Sequence, residues 1–374
     1  MDFLAEDRDT LDRFLPGLDQ QLASVPLTKL EVRDGPAVEL FREAGGPGLL
    51  IPQELNGHGA SASAAIRVQR AIGARSPSLA VATTMHHFSV ASLIELQRGE
   101  QRLAWMLLQA IAEQRRLLAS GFAEGVHSQG VFSPTMQARR VNGKVLISGS
   151  KKPCSLAHSM DILTASVALF ADGADDRPTF AVALIPAKTP GISVSDFWGS
   201  SILAGAQSDA VTLTDVAVDP DLVLAMDGAA GVQTVSFLWF ELLITASYLG
   251  MASALVERML AIDRSEATTR AAIVADVESA MSSLFAVAQD IDAKKNINDR
   301  LLVHALLCRY AAQDAISRSV SSAVELLGGR SFIKDDEVSY FASASRALAF
   351  HPPQRIRASQ AILDALEGSP LKLD

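Results

Sequence analysis

Asn142-Gly143-Lys144-Val145-Leu146-Ile147 decides the fold, because here helical spacing has given way to a tight turn and a short apolar run. Asn-Gly between two strand candidates is a strong hairpin signal, since both residues tolerate the positive φ that a two-residue turn needs. Working outward, Ile162–Val167, Thr179–Ile185 and Ala210–Thr214 repeat the pattern of apolar stretches bounded by turn residues. Residues 119–224 are therefore expected to form a small β-barrel or sandwich. On either side the spacing is helical. Residues 1–118 carry apolar triplets such as Ala65, Val68 and Ile72, with breakers at Gly45-Gly46-Pro47-Gly48 and Asn56-Gly57-His58-Gly59. Residues 225–374 carry long periodic runs at Val232–Ala261, Val274–Ala288 and Leu301–Leu327, and a further helix after Pro352-Pro353. The expected class is α+β, with an N-terminal helical domain, a middle β domain and a C-terminal four-helix bundle.

Composition narrows the function classes. The 374 residues are 49% hydrophobic and 20% charged, with 33 basic against 42 acidic side chains, a net charge of −9. Such a chain buries a large core and repels phosphate backbones, so no nucleic-acid partner is expected. Two cysteines, Cys154 and Cys308, are too few for a disulfide framework or a cysteine-rich metal site, and no histidine spacing suggests a metal. With no apolar leader in Met1–Asp19, a reducing cytoplasm is the expected compartment. Between Asp227 and Glu257 the one charged residue is Glu241, in an apolar stretch long enough to span a bilayer. A carboxylate at its middle and acidic rather than basic flanks argue against a span and for a helix buried in a bundle.

The three-part order, together with several local motifs, resembles the acyl-CoA dehydrogenase family over essentially the whole chain. Phe41-Arg42-Glu43-Ala44-Gly45 with Leu50-Ile51-Pro52-Gln53-Glu54-Leu55-Asn56-Gly57-His58-Gly59 is similar to that family's N-terminal signature. Gly121-Phe122-Ala123-Glu124-Gly125 stands at its Thr-Glu-Pro segment, and Ser155 at a flavin-contacting Thr or Ser. Glu325-Leu326-Leu327-Gly328-Gly329-Arg330-Ser331-Phe332 is similar to a run that meets the flavin diphosphate across a subunit interface. The resemblance thus implies FAD, held by Phe122, Ala123, Ser155, Gly328 and Gly329. It also implies a homodimer or homotetramer, or a hetero-oligomer with a related chain.

The family's reaction needs a glutamate base beside an acyl thioester and a flavin that takes the hydride. Counted from Gly328-Gly329, the usual glutamate position holds Pro352, so by this resemblance the chain is a divergent member lacking that base. Counted back from Gly250, an alternative slot falls on Phe240, next to Glu241. Glu241 is thus the candidate base, its pKa raised by burial; the alternative is that an arginine from another helix or subunit pairs it. His351, one residue before Pro352, is a second candidate base or donor, or is simply held by its neighbours. His127 lies in the Gly125–Gly130 loop, Gln129 stands where a serine usually meets cofactor or substrate, and Glu266 replaces an arginine that holds the flavin diphosphate. An arginine facing CoA is also missing, which points to a carrier-protein thioester. The leading expectation is an oxidoreductase acting on the CH–CH bond of an acyl-CoA or acyl-carrier-protein thioester. Two others stand beside it: a flavin-dependent monooxygenase on the same fold, which needs no glutamate, and a redox-neutral or non-catalytic partner subunit.

Overall fold

The computed structural model describes residues 3–98, 102–125, 134–170, 177–226, 230–262, 267–295 and 297–373. Helices come first: α1 (Ala5–Phe14), α2 (Leu18–Ser24), α3 (Leu27–Leu30), α4 (Ala37–Glu43), α5 (Ala62–Arg75), α6 (Pro77–Arg98) and α7 (Arg102–Gln114). Strands follow as β1 (Leu118–Gly121), β2 (Gln137–Val141), β3 (Lys144–Cys154), β4 (Ile162–Phe170), β5 (Thr179–Pro186), β6 (Ile192–Ser195), β7 (Asp209–Val218) and β8 (Val223–Ala225). The chain then returns to helices α8 (Ala230–Leu260), α9 (Ala267–Asp292), α10 (Asp299–Lys334), α11 (Asp336–Ala344) and α12 (Arg355–Leu366). Three of these are long, and the two short ones pack against α10.

The strands form one sheet in the order β6-β7-β3-β2-β4-β5-β8. Asn142 and Gly143 both have positive φ, 49° and 75°, and join β2 to β3 with Val141 opposite Lys144, as the Asn-Gly turn requires. β1 runs parallel to the first half of β4 and β2 to its second half, so two strands share one edge of β4. All of β4 except Phe170 is buried, which is why its sequence reads as an unbroken apolar run rather than an alternation.

α8 is the central helix, packed against α5, α6, α9 and α10. Its apolar window is 83% buried inside the protein, so its bilayer-like length reflects a place in the core. Where α5 crosses α8, Gly73 lies against the backbone of Ser247 and Gly250 against the backbone of Arg70, too close for any Cβ. The start of α5 is capped twice: Ser61 Oγ accepts from Ala64 N at 3.2 Å, and the Asp292 carboxylate accepts from Ala62 N at 2.6 Å. His86 ties the helical and β domains together, with Nε2 3.0 Å from the Pro47 carbonyl and Nδ1 accepting from Leu118 N at 3.0 Å. That arrangement places its hydrogen on Nε2 and leaves the ring neutral.

Candidate active site

A cavity of about 690 Å³ lies where the three parts meet. α6 supplies Met85, Phe88, Ser89 and Ser92; the sheet and its loops supply Phe122, Ala123, Ser155, Thr164, Trp198 and Ser208; α8 and the turn before α12 supply Ser236, Phe240, Tyr248, His351 and Pro352. A chain of rings crosses all three parts. Phe122 lies 5.8 Å from Phe88, Phe88 5.7 Å from Phe240, and Phe240 6.1 Å from His351, between ring centroids. These apolar rings exclude water from the middle of the cavity, and polar groups are placed at a few points along its wall.

Phe122, Ala123 and Ser155, three of the residues expected to hold a flavin, line one wall together. Ser155 and Ser208 hydroxyls lie 2.9 Å apart, both buried. Two hydroxyls joined by one bond keep one proton to offer outward, which suits the acceptor edge of an isoalloxazine ring. Beneath them Lys151, fully buried, donates to Glu124 at 2.6 Å and to Ser166 Oγ at 2.9 Å. Burial works to raise the Glu124 carboxyl, but hydrogen bonds from Lys151 and Thr135 outweigh it and hold the group below the ordinary range. Burial also lowers the Lys151 ammonium, against the pull of Glu124. Asp209 is the second organising carboxylate. It accepts from Phe197 N at 2.8 Å and Trp198 N at 3.0 Å, fixing that stretch of cavity wall, and it meets His158 at 2.9 Å and Arg33 at 3.0 Å.

Glu241 is not among the residues that line the cavity. Both of its oxygens lie 2.9 Å from Arg309 Nη1, and neither side chain has any exposure. Burial pushes the Glu241 carboxyl up against the opposing pull of Arg309. The expected free base is a paired carboxylate, because a charge at the centre of a helical core is retained only with a partner. Arg309 also donates to the carbonyls of Leu348 (3.2 Å), His351 (2.5 Å) and Pro352 (3.1 Å), while Tyr310 Oη donates to the Pro353 carbonyl at 3.0 Å. The turn that carries His351 is thus gripped from α10. His351 itself does line the cavity, its Nε2 2.9 Å from Tyr248 Oη. Burial, helped by the nearby Arg309 cation, lowers the imidazole to about 3, so the ring is neutral.

Gly328 and Gly329 stand apart from the cavity, at a break in α10 where Gly328 takes φ +82°, and a Cβ at either would meet open space. His127, Gln129 and Glu266 lie outside the described residues. Of the groups the sequence reading passed over, Arg309 carried a visible signal: one cation between Leu306-Leu307-Cys308 and Tyr310-Ala311-Ala312 mirrors the isolation of Glu241. Ser208 and Asp209 carried none, since serines and aspartates are common throughout the chain, and Tyr248, one of three tyrosines, had no neighbouring motif to mark it.

No family model matches the sequence. The chain is 43% identical over 377 residues to isobutylamine N-hydroxylase of Streptomyces viridifaciens, an alignment that covers 98% of each protein. It belongs to that enzyme's family. Among solved structures it is similar to KijD3 in complex with FMN and a dTDP-linked amino sugar, with a TM-score of 0.81, 20% identity and 97% and 94% of the two chains covered. It is likewise similar to TdsC, the dibenzothiophene monooxygenase of Paenibacillus sp. A11-2, bound to FMN, with a TM-score of 0.81, 18% identity and 99% of each chain covered. The acyl-CoA dehydrogenase-like fold expected from sequence is the fold of this chain, and the N-hydroxylase family is one of oxidoreductases.

Proposed function

We propose that this protein is a flavin-dependent monooxygenase that hydroxylates the nitrogen of a small amine. The observation that carries the reading is the state of the two carboxylates a dehydrogenase would have used. Glu241 is spent on Arg309, and Glu124, the one carboxylate among the described residues lining the cavity, is spent on Lys151, Thr135 and Met136. Removing an α-proton from a thioester needs a free base of that kind, whereas oxygenating an amine does not, because the amine's lone pair is the nucleophile. Membership of the isobutylamine N-hydroxylase family supports the same choice. It favours the oxygenase reading over oxidation of a CoA- or carrier-bound acyl chain.

A reduced flavin supplies the two electrons that activate dioxygen. The balance is R–NH2 + O2 + reduced flavin giving R–NHOH + H2O + oxidised flavin. Phe122, Ala123 and Ser155 are the residues that would hold the isoalloxazine, and the Ser155–Ser208 pair would donate to its polar edge. Gly328 and Gly329, in a run that resembles one reaching the flavin diphosphate of a neighbouring subunit, stand away from this chain's own cavity and so do not choose between FMN and FAD, which share the ring system that the wall fits. Phe88, Phe122 and Phe240 keep water from the reacting atoms. Tyr248, whose hydroxyl burial keeps protonated, shares a hydrogen bond with His351 Nε2, the imidazole tautomer setting which of the two donates. The neutral imidazole and the phenol thus place exchangeable protons at the cavity wall without placing a charge there.

Mixing the protein with chemically reduced FMN or FAD, 18O-labelled dioxygen and isobutylamine is expected to give N-isobutylhydroxylamine containing one 18O atom. Mass analysis of the bound flavin distinguishes FMN from FAD. Bleaching of the oxidised flavin by an acyl thioester, with no hydroxylamine from any amine, would return the protein to the dehydrogenases.

A further inference from the structure

We propose that the hydroxyls of Ser89, Thr164, Ser92 and Ser236 form the subsite that receives the substrate's amino group, a lone-pair-rich patch selective for N–H donors. This rests on the amine reading above, and it adds where the amine is held and why. The four residues come from all three parts of the chain, all line the cavity, and Ser89 and Thr164 are only 4% and 3% exposed.

Counting their protons shows what the patch can bind. Each hydroxyl has one proton and two lone pairs. Ser89 donates to the Met85 carbonyl (3.0 Å), Ser92 to Phe88 (2.8 Å), Ser236 to Val232 (2.7 Å) and Thr164 to Ala119 (2.9 Å). In addition Ser92 lies 2.6 Å from Ser236, and Ser89 lies 3.3 Å from Thr164. Each pair therefore has two protons for three oxygen contacts. No proton is left to point into the cavity, while lone pairs remain. The Ser155–Ser208 pair, which also lines the cavity and has a proton to spare, has the reverse character. A carbonyl, ether or carboxylate brought to the four hydroxyls meets only acceptors, whereas an amine supplies the N–H groups they lack. Ser89 and Ser92 sit three residues apart on α6, so both pairs face the same part of the cavity.

The test is calorimetric binding of isobutylamine and of methyl isobutyl ether, which has no N–H, to flavin-loaded protein. Wild type is expected to bind the amine at least about tenfold more tightly than the ether. In the doubles S92A/S236A and S89A/T164V the amine Kd is expected to rise about tenfold while the ether Kd stays level or falls and the flavin Kd stays unchanged. The T164S variant, which keeps the oxygen, is expected to restore wild-type discrimination in place of T164V. Doubles that fold, bind flavin and keep the wild-type amine-to-ether ratio would overturn the subsite even if isobutylamine is hydroxylated. A wild type that shows the ratio but makes no hydroxylamine would support the subsite and overturn the assigned reaction.

Discussion

His87 is the side chain whose surroundings fit it least. It is fully buried on α6, between Phe41 and His86, and among the described residues neither ring nitrogen has a hydrogen-bond partner. Burial, reinforced by His86, keeps it neutral far below the usual range, yet a neutral imidazole still forfeits its bonds to water. A His87→Leu variant is expected to gain about 1–2 kcal/mol, measured as a raised urea midpoint at neutral pH with the denaturant slope unchanged. His351 differs, because its ring has a partner and faces the cavity. His351→Ala is expected to lower the hydroxylation kcat about 100-fold, and Tyr248→Phe by less, since the tyrosine acts through the histidine. Scoring hydroxylamine formed against flavin oxidised separates this from lost flavin binding, which would lower both together.

At the scale of elements, the α5–α8 crossing fixes the spacing of the helical core, and the turn from Leu348 to Pro353 supplies part of the cavity wall. Because Gly73 and Gly250 each touch the other helix's backbone, Gly250→Ala must part the helices, and it is expected to cost about 2 kcal/mol or more in chemical denaturation. The same elements show what can be read from sequence. The periodicity of α8 and the Asn142-Gly143 turn were legible because the rules that shape them are local. The isolation of Glu241 in an apolar helix was legible too, and burial followed from it. What it meant was not, because the deciding partner, Arg309, lies 68 residues further on in another helix. Ser155 reached the cavity wall through the resemblance alone. The proton count that separates the Ser155–Ser208 pair from the Ser92–Ser236 pair depends on which backbone carbonyls stand nearby, a tertiary fact with no counterpart in spacing.

At the scale of the whole molecule, the three parts are joined by buried polar groups, and these tie stability to pH. Glu31 accepts from Ser76 (2.6 Å), Ser78 (2.5 Å) and Tyr340 (2.6 Å), and Tyr340 Oη accepts from Leu203 N at 2.8 Å, so one carboxylate links both helical parts to the loop before β7. Burial raises the Glu31, Glu241 and Asp7 carboxyls, so in the folded state they take up protons more readily than in the unfolded chain, and stability falls as pH rises through that range. The buried histidines have the opposite sign. His86 is lowered to about 4 and His351 to about 3, with His87 also well below 6.5, so below pH 6.5 the unfolded chain binds protons that the folded chain refuses. Their contribution is complete above pH 6.5 and is lost as pH falls towards 4, each histidine costing about 1.4 kcal/mol per pH unit. A difference between proteins isolates this effect from the carboxylates. Between pH 6 and pH 5, urea unfolding of wild type is expected to lose about 1 kcal/mol more than that of His87→Leu. Equal losses in the two proteins would mean that His87 takes up its proton in the folded state, against its full burial without a hydrogen-bond partner among the described residues.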